Sequence, residues 1–145
     1  MGFRFTLASV LRLRESIEQR EELALQRIQF ELARTRRSLD DAETQIESRS
    51  RSRDESLAKA IPAYQLQDLE NGIEEAKATR LVLLDALGKL FEERDRQMKI
   101  YQAARSGRQM LTDLRAQKRS EWEQEQVRVQ QKQLDDIFAA RMQRK

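Results

Sequence analysis

Among the adjacent acid pairs of the chain, Asp40-Asp41, Glu74-Glu75, Glu92-Glu93 and Asp135-Asp136 have the residue types that hydrolyse a substrate or hold a metal. Paired carboxylates do such chemistry when both converge on one point and an apolar surround drives their pKa values apart. Neighbouring positions on a helix diverge by about 100° around its axis, and no apolar segment encloses any of the four pairs. The chain has no His and no Cys, so the commonest general base, metal ligand and thiolate nucleophile are missing as well. It has no Gly-rich phosphate loop either. These observations predict a non-enzymatic protein with no catalytic residue, cofactor or metal.

A second pattern, "SRSRSRD" from Ser48 to Asp54, has the look of an Arg/Ser tract for nucleic acid. It is short, Glu47, Asp54 and Glu55 offset it, and no aromatic residue is interleaved to stack on bases. The 28 basic and 25 acidic residues leave a net charge of +3, too small and too mixed for a sustained electrostatic footprint. No nucleic-acid partner is expected. Asp135-Asp136 differ from the other pairs in lying between Lys132 and Arg141 and beside Leu134, Ile137 and Phe138. They suit either intrahelical ion pairs or contacts with basic residues of a partner ring.

The elements that position these residues follow from composition. Charged residues are 37% of the chain, hydrophobic ones 39%, and 145 residues contain four Gly and one Pro. A compact core is not expected, but Leu and Ile recur on a regular period, which long helices explain better than disorder. From Leu25 the apolar positions step by three and four through Ile28, Leu32, Thr35, Leu39, Ala42 and Ile46, a stripe narrow enough to need a partner helix. The run from Glu47 to Ser56 has no apolar residue, and the only proline follows in "KAIPAY". The first helix should span about residues 6–57 and the second about 63–140, with a loose tip over about 48–64. Asn71-Gly72 is a competing turn signal, although Leu69 and Ile73 keep helical register across it.

The seam resumes at Leu66, Leu69, Ile73, Ala76, Arg80, Leu83, Leu87 and Leu90. Around Leu83, Leu84, Leu87 and Phe91 it widens, which suits either burial of the opposite arm or a groove for a partner. It then drifts to Met98 and Tyr101, which suits either a stutter or a third surface for a partner. Farther on Ala104, Leu111, Leu114, Trp122, Val129 and Ile137 are sparser, and Ser106-Gly107 is a weak point worth about 1 kcal/mol of helix propensity.

Two stripes and one break predict an all-α fold, a long two-helix antiparallel coiled-coil hairpin with unequal arms of roughly 80 and 115 Å, forming one unit over residues 1–145. The last two dozen residues of the second arm overshoot the first, leaving Trp122, Val129, Ile137 and Phe138 short of an intramolecular partner. Trp122 is either a cap over the hairpin end or an interface anchor. Arg4, Arg12 and Arg14 break up any signal-peptide core, and the most apolar stretch, "LVLLDALGKLF", carries Asp85 and Lys89, so a soluble intracellular protein is expected.

The opening "MGFRFTLASVLRLRE" alternates like a strand through Phe3, Phe5 and Leu7 before turning helical. Thr6 as N-cap would put Phe5 and Val10 at the two positions of a hydrophobic staple. Phe3 and Phe5 then either fold back on the second arm around Leu111 and Leu114 or join the overhang in one apolar tip.

The start F-x-F-x-L-x-x-V-L-x-x-R, present as Phe3, Phe5, Leu7, Val10, Leu11 and Arg14, resembles the amino-terminal signature of the flagellar FliJ family. The length, the hairpin pattern, "AYQLQDLENGIEEAK" and the tail "RVQQKQLDDIFAARMQRK" are similar as well, though Gln130 and Gln131 precede Lys132 where that family's ending has an acidic residue nearby. The resemblance implies a cytoplasmic component of the flagellar type III export apparatus, held at the inner face of the cell membrane through its partners, and the hairpin predicts a monomer when free. It implies a stalk like that of rotary ATPases, whose paired termini enter the hexameric export ATPase ring and promote its turnover, with further contacts to the export gate membrane protein and to flagellar export chaperones. On that reading the partner-binding residues are Phe3, Phe5, Leu7, Leu11 and Arg14 at one terminus and Trp122, Lys132, Leu134, Asp135, Asp136 and Phe138 at the other. The alternatives are the stalk of a virulence-type injectisome and a generic dimeric coiled-coil scaffold, in which both seams would pair between chains.

Overall fold

The computed structural model describes residues 2–144. Two helices, α1 (Ala8–Leu57) and α2 (Ala63–Gln143), pack against each other as a hairpin, and no strand occurs among the described residues. The seam is filled by the facing helix of the same chain.

The break between the helices follows from one residue. Pro62 disfavours helical dihedrals at Ile61, so α1 cannot run into it. The Pro62 carbonyl accepts the first helical hydrogen bonds of α2, from the N–H groups of Gln65 at 3.1 Å and Leu66 at 3.3 Å. Residues 48–57, expected to be loose, are helical instead. Their polar side chains reach across to α2: Arg49 Nη1 donates to the Gly72 carbonyl at 2.6 Å, and Arg53 Nη1 donates to Glu70 Oε1 at 3.3 Å. The helix passes through Asn71-Gly72 and Ser106-Gly107 without interruption, and no described glycine has a positive φ.

The chain divides into two compact units, one formed by Glu21–Ile100 and the other by the chain's two ends, up to Arg20 and from Tyr101. In the Glu21–Ile100 unit, Leu25, Leu32 and Ala42 of α1 are buried with Ile73 and Ala76 of α2, and Ile73 is only 1% exposed. Ile28, Thr35, Leu39 and Ile46 are half-buried between them, and so are Leu66, Leu69, Arg80, Leu83, Leu87 and Leu90 on α2. The expected stutter after Leu90 is absent. Arg94 and Gln97 continue the three-four steps as half-buried polar residues, each with a partner. Arg94 and Arg36 stack their guanidiniums on the Phe91 ring at 4.9 and 5.2 Å. Gln97 Nε2 donates to the Glu21 carbonyl at 3.0 Å and to Glu21 Oε2 at 2.7 Å. Within the widened stripe Leu83, Leu87 and Phe91 are half-buried, as burial of the opposite arm requires, whereas Leu84 stays 37% exposed and Leu81 and Val82 face solvent.

Candidate docking end

The unit made of the two chain ends holds every terminal residue singled out from sequence. Helix α1 is entered through a turn in which Ala8 N–H donates to the Phe5 carbonyl at 3.2 Å, and the first full helical bond runs from Leu11 N–H to the Leu7 carbonyl at 2.9 Å. The cap is therefore Leu7, one residue later than the expected Thr6. That shift moves the fourth helical position from Val10 to Leu11. Leu11 is buried while Val10 is exposed, so the staple predicted between Phe5 and Val10 does not form the entry.

The turn carries the preceding residues back onto α2. Phe3 meets the ring of Trp122 with centroids 6.1 Å apart and an interplanar angle of 53°, a tilted aromatic pair. Phe3, Phe5 and Trp122 are all half-buried. Trp122 thus has an intramolecular partner, contrary to its expected place among the unpartnered residues, and Phe3 reaches farther along α2 than Leu111 and Leu114. A shallow groove beside this contact is lined by Phe3, Phe5, Leu11, Arg12, Glu15 and Arg115, among others.

Two further contacts fix α1 against α2 here. Arg14 lies over Gly107, its Nη1 only 3.5 Å from where a Cβ would stand. Arg108 grips Glu18 with two hydrogen bonds, Nε to Oε2 at 2.6 Å and Nη2 to Oε1 at 3.1 Å. These bonds hold the Glu18 carboxyl below its usual pKa against the opposing effect of burial. Neither Arg108 nor the seat for Arg14 was legible as a site from sequence, because a polar side chain at a seam position is recognisable only once its cross-helix partner is known.

Beyond Trp122 the second helix has no partner: every residue of 123–144 is exposed. It stays helical with local support, Arg128 gripping Glu125 through bonds of 3.0 and 2.7 Å and Gln131 Nε2 donating to Asp135 Oδ1 at 3.2 Å. Leu134, Ile137 and Phe138 are each more than half exposed and, with Asp135 and Arg141, line a groove along the helix. Among the described residues no ion pair joins Asp135 or Asp136 to Lys132 or Arg141. The structure therefore collects Phe3, Phe5, Leu11, Arg14 and Trp122 into one packed end. Lys132, Leu134, Asp135, Asp136 and Phe138 remain on a free helix, and Leu7 is exposed at the start of α1.

The described residues thus form an antiparallel helical pair whose second helix ends free and apolar-striped, an arrangement that offers contact surface to other proteins. Residues 3–145 match the family model described as flagellar FliJ protein, so the chain belongs to the FliJ family and is a non-enzymatic component of the flagellar export apparatus. Neither the comparison with curated proteins nor that with solved structures returns a match. No helix among the described residues is long and apolar enough to cross a membrane.

Proposed function

We propose that this protein is the stalk of the flagellar export ATPase: its docking end enters the ATPase ring and raises its turnover. The observation that carries this reading is the unpaired helix over residues 123–144, with Leu134, Ile137 and Phe138 exposed on the same unit that gathers Phe3 and Phe5. Apolar side chains left in water on a helix held in place by a packed end are ready to be buried by another protein, at about 1–2 kcal/mol for each large side chain already half exposed. Exposed Lys132, Asp135, Asp136 and Arg141 supply both signs of charge around them and suit a ring lined by polar residues. A helix that contacts successive ring subunits unequally biases their states by its differential affinity.

On this reading the protein is cytoplasmic and held at the inner face of the cell membrane through its partners, with the export gate and export chaperones meeting other parts of the hairpin. Leu81, Val82 and Leu84 on α2 are exposed and available to them. Titrating the protein into the cognate export ATPase tests the proposal. Turnover should rise with the wild type and not with Phe5→Glu. Equal stimulation by both would remove the amino-terminal residues from the interface, and no stimulation by folded wild type would remove the stalk reading.

A further inference from the structure

The Glu21–Ile100 unit carries a second stripe on the outer side of α1. Leu23, Arg27, Phe30, Arg34 and Arg37 follow one another at steps of four and three. On an α-helix this places them within about 80° of one another, on the side turned away from the buried seam of Leu25, Leu32 and Leu39. Leu23 is 49% and Phe30 64% exposed, and the shallow groove between them is lined by Gln26, Arg27 and Glu31.

A single exposed apolar side chain needs no explanation. Here two large ones stand one heptad apart, interleaved with and followed by three guanidiniums. Among the described residues Arg27 and Arg37 have no carboxylate within ion-pair distance, and Arg34 has only Glu31 at 3.7 Å, both side chains well exposed. Elsewhere on the hairpin the arginines that cross the seam find partners, as Arg53 does with Glu70, Arg80 with Glu43 and Arg108 with Glu18. The outer stripe has the three-four spacing of a helix seam, with Arg27 and Arg37 unmatched and Arg34 held only by an exposed pair with Glu31.

We propose that this stripe is a docking face for an acidic amphipathic helix of another protein. Apolar residues one heptad apart on that helix would seat on Leu23 and Phe30, and flanking carboxylates would pair with Arg27, Arg34 and Arg37, as charges beside a coiled-coil seam do. The apolar content argues against a membrane. A helix lying in the lipid interface buries a broad apolar face, whereas α1 has its apolar face against α2 and presents only two large apolar residues in this stretch of its outer side. The proposal does not depend on the stalk reading, because no ATPase enters its test.

The test uses the full chain and a fluorescent three-heptad peptide with Leu at the seam positions and Glu at the flanking ones, beside a counterpart with every Glu replaced by Lys. Anisotropy should show the acidic peptide binding, more weakly as salt rises, and the basic peptide not binding. Phe30→Glu and the double variant Arg27→Glu, Arg34→Glu should each weaken binding at least tenfold, with helix content by circular dichroism unchanged. Equal binding of the acidic peptide to the double variant and the wild type would overturn the proposal, as would no binding to the wild type. Binding to phosphatidylglycerol vesicles without peptide binding, abolished by the same substitutions, would overturn it in favour of a membrane. A dimer in sedimentation that Phe30→Glu converts to monomer, again without peptide binding, would overturn it in favour of a second copy.

Discussion

Replacing Ile73 with Ala asks whether the hairpin rests on a handful of buried aliphatics or on its many polar contacts. Ile73 is the most buried large side chain of the seam, 1% exposed. The substitution removes three carbon atoms, about 2.4 kcal/mol at about 0.8 kcal/mol each, and adds a cavity term. That term is modest here, because a two-helix interface lets neighbouring side chains or water close over the gap. Alanine returns about 0.4 kcal/mol of helix propensity. The net loss should be about 2–3 kcal/mol, which with a urea m-value of about 2 kcal/mol/M lowers the unfolding midpoint by about 1–1.5 M. Leu81→Ala, at a position 63% exposed, should move the midpoint by less than about 0.25 M. Urea titrations followed by helical circular dichroism read both variants. Equal midpoints for the two would mean that the charged contacts, and not the buried seam, hold the helices together.

Trp122 is the only tryptophan, so Phe3→Ala should shift its emission to the red and increase its quenching by acrylamide as the ring loses its neighbour. An unchanged spectrum would mean that Phe3 does not cover it in solution. Glu18→Gln should destabilise the protein by about 1–2 kcal/mol at neutral pH, between the values for an exposed ion pair and a charge-assisted bond sheltered from water. Because the folded protein holds Glu18 below its usual value of 4.5, this stabilisation is complete above that value and fades as pH falls through the lower folded one. The difference between wild type and variant should therefore shrink toward pH 3, and a difference that grew on acidification would contradict the assignment. Gly88 has nothing within 4 Å of where a Cβ would sit, so Gly88→Ala should raise stability by up to about 1 kcal/mol in thermal melts.

How much of this was readable in the residues depends on whether the deciding contact is local. The aliphatic spacing from Leu25 to Ile46 and from Leu66 to Leu90 announces two helices and a seam, since a three-four period is a property of one chain segment. Pro62 marks the break for the same reason. Beyond Leu90 the aliphatic spacing no longer marks the seam, because Arg94 and Gln97 occupy it, and their fitness there rests on Phe91, Arg36 and Glu21, two of them on the other helix. The order of the last turns of α1, Ser48–Ser56, is not readable for the same reason: the first helix is expected to reach about residue 57, but Arg49 and Arg53 are held from Gly72 and Glu70 on the other helix. At the docking end the unpaired tail was legible from the unequal arm lengths. The pairing of Phe3 with Trp122 was not, since it depends on the turn between Phe5 and Ala8. The outer stripe of α1 was written in the sequence at regular spacing, but a reading that seeks one seam per helix passes over a second.

On the proposed stalk reading the free end of α2 serves docking and contributes nothing to the fold. The most direct measurement compares wild type with the double variant Leu134→Glu, Phe138→Glu for thermal unfolding and for affinity toward the export ATPase. Phe138 is 67% exposed and neither residue touches the packed end. The account predicts melting within about 2 °C of wild type, as for surface substitutions, and at least about a thirtyfold loss of affinity, the equivalent of about 2 kcal/mol. Unchanged affinity would contradict the claim, and so would a drop in melting temperature large enough to show that these side chains help hold the hairpin together.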